Sequence, residues 1–91
     1  MNIPGLKARP AEWAAKYKAN PKANAKGYAQ ALADLGHGQM LDQSVPPVKR
    51  YPMALQTLRS ALKIDKTNKL ALEDVKMIES AYKSMGKPIP K

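Results

Sequence analysis

One histidine, seven carboxylates and sixteen cationic side chains make up the chemically active inventory of this 91-residue chain, which has no cysteine. His37 stands between Gly36 and Gly38. Without a second histidine it does not begin a zinc-type ligand set, and its nearest carboxylates for base chemistry along the chain are Asp34 and Asp42. A turn histidine behind a helix needs the fewest partners and is the expected state. Glu73, Asp74 and Glu79 stand among Lys69, Lys76 and Lys83. Glu79 precedes Lys83 by one helical turn in the order that favours an ion pair, which predicts a solvated face. Ser44, Ser60, Ser80 and Ser84 have no histidine close in sequence, and no glycine-rich phosphate cradle occurs. The lack of cysteine excludes disulfides, thiolate metal sites and thiol nucleophiles. These features predict a protein that is not an enzyme, with no cofactor and no bound metal.

The cations carry more information. Sixteen Lys and Arg against seven Asp and Glu give a net charge of +9, an excess that points to an anionic partner such as nucleic acid, an acidic protein face or a lipid surface. Only Arg9, Arg50 and Arg59 are arginines. Lysine is a hydrated point charge, poor at bidentate reading of guanine edges, so sequence-specific DNA recognition is disfavoured. The densest group is Lys7, Arg9, Lys16, Lys18, Lys22 and Lys26, opposed only by Glu12; it is the expected anion-facing or nucleic-acid-facing side. Trp13 and Tyr17 share a helical face within it and are expected to pack on other helices, the alternative being stacking platforms for single-stranded nucleic acid.

The elements that must position these groups read as all-α: a small four-helix domain of two short N-terminal helices plus a C-terminal helical hairpin, with extended proline-bearing arms and a long central loop. Residues 1–91 form one domain, too short for two cores. The expected divisions are an arm at 1–9, two helices in 10–35, a loop or strap at 36–51, the hairpin at 52–86 and a tail at 87–91. The helices are predicted near Pro10–Ala19, Pro21–Leu35, Pro52–Ile64 and Asn68–Met85, with Pro10, Pro21 and Pro52 in first turns where no donor is needed. Leu55, Leu58 and Leu62 mark the apolar face of one hairpin helix, and Leu72, Val75, Ile78, Tyr82 and Met85 that of the other. Gly86 then supplies a stop. Leu58 and Ile78 are the expected core, and Gly27 is expected to mark a close helix approach. Within GHGQMLDQSVPPVKRY no period is sustained. It reads either as a crossover tucking Met40, Leu41, Val45 and Val48 inside or as a docking strap. Ile3, Leu6, Trp13, Val45, Val48 and Ile89 are the arm and interface candidates.

Two segments resemble known motifs and depart from them. Asp65 to Val75 resembles an EF-hand loop, with Asp65 and Thr67 at ligand positions one and three. Its fifth and twelfth positions are Lys69 and Lys76, and Leu70 stands where the sharp turn needs glycine; a turn and helix cap explains the same residues. ALADLGHGQMLDQ resembles a helix-turn-helix, yet its second helix would stop at Val45 and carry neither Lys nor Arg. The expected function is therefore structural: a small basic subunit of a larger particle, such as a phage virion or nucleoprotein complex, whose arms contact other protein subunits. The alternatives are an electrostatic, sequence-nonspecific nucleic-acid binder, and a small effector that docks on an acidic protein. The N-terminus lacks the apolar run of a secretory signal and no stretch reaches membrane-spanning length, so an intracellular or virion setting without membrane contact is expected.

Overall fold

A computed structural model describes residues 3–91, with side chains from Gly5 onward. Among these residues the chain forms four helices and no strand: α1 (Ile3–Ala19), α2 (Pro21–Leu41), α3 (Pro47–Ile64) and α4 (Lys69–Ser84). The all-helical class and the number of helices match the periodicity. Three boundaries differ from expectation, each because of how a proline or glycine is used.

Residues 3–9, expected as an extended arm, are the first turns of α1; Met1 and Asn2 lie outside the described residues. Pro4 falls in the first turn, where its missing N–H is no loss. Pro10 lies buried inside the helix and forfeits only the bond to the Leu6 carbonyl. The sequence positions Ile3, Leu6, Pro10, Trp13 and Tyr17 step by three and four in alternation, so one helical stripe runs through Pro10.

The next helix, α2, begins as read from sequence: the Asn20 side chain accepts from the Ala23 N–H at 3.3 Å, and Pro21 takes the first helical position. It does not stop at Leu35. Gly36 and Gly38 are helical and buried. At Gly36 a Cβ would stand 2.6 Å from Leu58 Cγ and 2.7 Å from Leu58 Cδ2. This glycine therefore lets α3 approach, and the packing gained offsets the roughly 1 kcal/mol by which glycine disfavours a helix interior.

Helix α3 starts at Pro47 rather than Pro52. Pro46 is extended, with φ −59° and ψ 148°, and Pro47 opens the helix behind it. Pro52 then lies within the helix and costs only the bond to the Val48 carbonyl. The long loop thus shrinks to residues 42–46. It shares a device with the α3–α4 turn. Asp42 accepts from the Ser44 N–H at 3.1 Å and its hydroxyl at 2.6 Å; Asp65 accepts from Thr67 in the same way at 3.0 and 2.6 Å. These bonds hold both carboxyls below the usual aspartate range. Asn68 then caps α4 by accepting from the Ala71 N–H at 2.9 Å. At the other end Gly86, at φ 66°, closes α4 with two bonds, Gly86 N–H to the Lys83 carbonyl and Lys87 N–H to that of Tyr82.

Leu55, Leu58 and Ile78 are the largest fully buried side chains. Ala33, Met40, Ala54, Ala61, Ala71 and Tyr82 complete the core, against which Leu32, Tyr51, Leu62, Leu70, Val75 and Ile89 pack. Leu72 and Met85, expected on the buried face of α4, are 39% and 47% exposed. Of the central-loop candidates Met40 is buried, Val45 is half-buried, and Leu41 and Val48 are exposed. Among the described residues α1 contacts α2 and no other helix, and the molecule is elongated at 43 × 25 × 18 Å. The result is a three-helix core with α1 laid along one of its members.

Candidate functional site

Gln30, Asp34 and His37 are spaced four and three apart on α2, so they line one side of it. Asp34 accepts from Arg9 of α1 at 2.8 Å and from Gln30 at 2.9 Å. Gln30 in turn accepts from the Asn68 amide at 3.0 Å, which ties the seam to the cap of α4. His37 Nδ1 meets Asp74 Oδ2 at 2.7 Å. His37 is therefore a helical residue bridging α2 and α4, where a turn histidine was expected. Asp74 is 3% exposed, where a solvated face was expected. Its position explains this, because Ala71, Asp74, Ile78 and Tyr82 form one inward stripe of α4. No hydroxyl, amine or second carboxylate bonds to His37 among the described residues. The pair links α2 to α4. No group of three metal-ligating side chains gathers among the described residues.

The cationic candidates lie on α1 and the start of α2. Lys7, Lys16, Lys18, Lys22 and Lys26 are all exposed. By helical spacing Lys7 and Lys18 flank one side of the Trp13–Tyr17 stripe and Arg9 and Lys16 the other, while Lys22 and Lys26 lie one turn apart on α2. Arg9 is committed to Asp34. The other arginines also work internally. Arg50 donates to the Val45 and Asp42 carbonyls at 3.1 and 3.3 Å, clamping the α2–α3 connection, and Arg59 donates to the Lys91 carbonyl at 3.0 Å. Among the described residues no lysine forms an ion pair.

The aromatic rings in this region serve the fold. A side chain added at Gly27 would run into the six-membered ring of Trp13, which therefore lies directly on α2. Lys16 covers that ring with its ammonium 4.5 Å from the centroid. Tyr17 pairs with Tyr28, their centroids 5.3 Å apart and the rings tilted by 45°.

The arm candidates are largely used within the chain. The Ile3 side chain lies outside those described. Leu6 and Trp13 are half-buried in α1, Val45 is half-buried in the clamped connection, and Ile89 packs on the core. Only Val48, 71% exposed, stands out. Sequence reasoning missed the exposure of Met85, which was assigned inward, and of Met77, which was given no role; Leu41, read as tucked inward or as part of a strap, is exposed as well. No helix is long and apolar enough to cross a membrane among the described residues. Comparison with protein-family models, curated proteins and solved structures returned no match.

Proposed function

We propose that this chain is a non-catalytic, sequence-nonspecific nucleic-acid-binding subunit of a nucleoprotein assembly, and that it grips phosphates with the lysines of α1 and the first turns of α2. The observation that carries this reading is that Lys7, Lys16, Lys18, Lys22 and Lys26 are exposed and form no direct ion pair among the described residues, Lys26 alone lying near enough to a carboxylate, that of Asp65, to act on it. Lys7, Lys18, Lys22 and Lys26 can approach a phosphate and release a condensed counterion without first leaving a direct internal contact, whereas Lys16 would leave the Trp13 face. Helix α1 extends for about 25 Å at 1.5 Å per residue, a stiff rod of positive charge along a polyanion.

Two features make the grip indifferent to sequence. The arginines, which read guanine edges best, are engaged within the fold, and lysine holds phosphates as a point charge. Trp13 is covered by Gly27 and Lys16, so stacking on unpaired bases does not favour single strands. An assembly held by extended arms, the leading expectation from sequence, has less support, since residues 3–9 are helical and Ile89 packs on its own core. Membership of a particle then follows from the nucleic acid and from surfaces other than the termini.

Charge reversal tests the proposal. Lys18→Glu with Lys22→Glu should weaken binding to a random-sequence duplex by about tenfold or more, read by fluorescence anisotropy at fixed salt. The helical circular-dichroism signal should be unchanged, because exposed charges contribute little to stability. Unchanged affinity would move the anion site away from α1 and α2.

A further inference from the structure

Leu41, Val48, Met77 and Met85 are 47%, 71%, 59% and 47% exposed, and they converge where α2 ends, α3 begins and the second half of α4 passes. One hollow there is lined by Met40, Leu41, Tyr51, Met77, Ile78 and Ala81. A second is lined by Pro47, Val48, Tyr82, Met85 and Lys87. Met77, Ala81 and Met85 follow one another at four-residue steps, so the two hollows succeed one another along α4 over about 12 Å, two turns of helix. Unbranched methionine side chains at both ends let the surface adapt to what it receives. We propose that this groove docks an amphipathic helical segment of an acidic protein partner, with one apolar anchor in each hollow and a carboxylate against Lys87.

Charge decides among the occupants. Lys87 is the one charged side chain lining either hollow, and it stands at the end of the groove. A second copy would bring +9 against +9 and set two Lys87 side chains around the same apolar contact. A partner with an acidic polar face is drawn to the same surface and meets Lys87 favourably. Anchors one helical turn apart match the spacing of Met77, Ala81 and Met85. The lysines of α1 and α2 are separate from this groove, so one molecule presents one surface to phosphate and another to protein.

The probe is a synthetic helical peptide with leucines along one face and glutamates on the other, titrated into the whole protein carrying ¹³C-methyl methionine. Met53 is 44% exposed but lines neither hollow, which makes it the internal control. The Met77 and Met85 methyl signals should shift and that of Met53 should not. A peptide of the same composition with its apolar face scrambled, or with lysine in place of glutamate, should leave all three in place. Met77→Lys should weaken the interaction by about tenfold while leaving duplex binding intact. Equal shifts with scrambled or lysine peptides, or no shift at millimolar glutamate peptide, would overturn the proposal. Shifts of Met77 and Met85 with protein concentration alone would identify a second copy as the occupant and overturn it equally.

Discussion

An aspartate that is 3% exposed needs a partner, and the His37 imidazole supplies one at 2.7 Å from an adjoining helix. Replacing His37 with alanine leaves that carboxylate buried and short of a donor. Because the imidazole itself is 38% exposed and water can partly take its place, the loss in chemical unfolding should be about 1–3 kcal/mol. His37→Ala and Asp74→Ala should also be non-additive when combined, since each removes the same bond. Additive losses would mean that the two side chains stabilise the fold separately. The glycine beside His37 permits a second test. Gly36→Ala would ordinarily favour a helix by about 1 kcal/mol. Here the added methyl meets Leu58 and should cost about 1–3 kcal/mol net, visible as a lowered midpoint in urea; a raised midpoint would show that α3 has room to yield. Sequence contained part of this. Asp74 falls on the stripe of Ala71, Ile78 and Tyr82, a visible sign of burial, but the lysines around it read more strongly as a solvent face. Its partner, 37 residues away along the chain, leaves no local trace.

The helices themselves were legible wherever the apolar period ran uninterrupted, as in α4, whose ends at Asn68 and Gly86 announce themselves by residue type. They were not legible where proline entered the period. Pro10 and Pro52 are local breakers whose cost tertiary contact outweighs, and Pro4 costs nothing in a first turn, so the spacing Leu6, Pro10, Trp13, Tyr17 was the better guide. The same holds for Gly36, read as a stop when it is a point of close approach. Between the helices, Asp42 and Asp65 each fold back on a hydroxyl residue two positions later. Hydrogen bonds from Ser44 and Thr67 lower both carboxyl pKa values from 3.8. A carboxyl with a depressed pKa in the folded state stabilises it above the unfolded pKa, and loses that contribution as pH falls through the folded value. The contribution of these two turns should therefore hold from neutrality down to about pH 4 and be lost below it, giving the unfolding midpoint an acid limb. Ser44→Ala with Thr67→Ala should flatten that acid limb. An unchanged acid limb in the double variant would place its origin in other carboxylates.

At the scale of the whole molecule, arginine and lysine have divided the work. The three arginines each donate to a group of the same chain, while no lysine among the described residues is ion-paired. The outward positive charge that remains after folding is thus almost purely lysine, and the cluster from Lys16 to Lys26 spans the end of α1 and the start of α2. Composition alone raised the expectation of an anionic partner, and the cluster from Lys7 to Lys26 was plain in the sequence. The internal use of the arginines was hidden, because Arg9 and Arg59 reach acceptors far along the chain. The exposed groove of Leu41, Val48, Met77 and Met85 was hidden too, since period assigns a residue to a stripe but does not say which edge of that stripe a neighbouring helix covers. The most direct measurement is the salt dependence of duplex binding, taken as the slope of log K against log salt. Five lysines on phosphates predict a slope of about −3 to −5, equal for unrelated sequences and no steeper for single strands. A slope flatter than about −1 on every nucleic acid tried would contradict phosphate binding by α1 and α2.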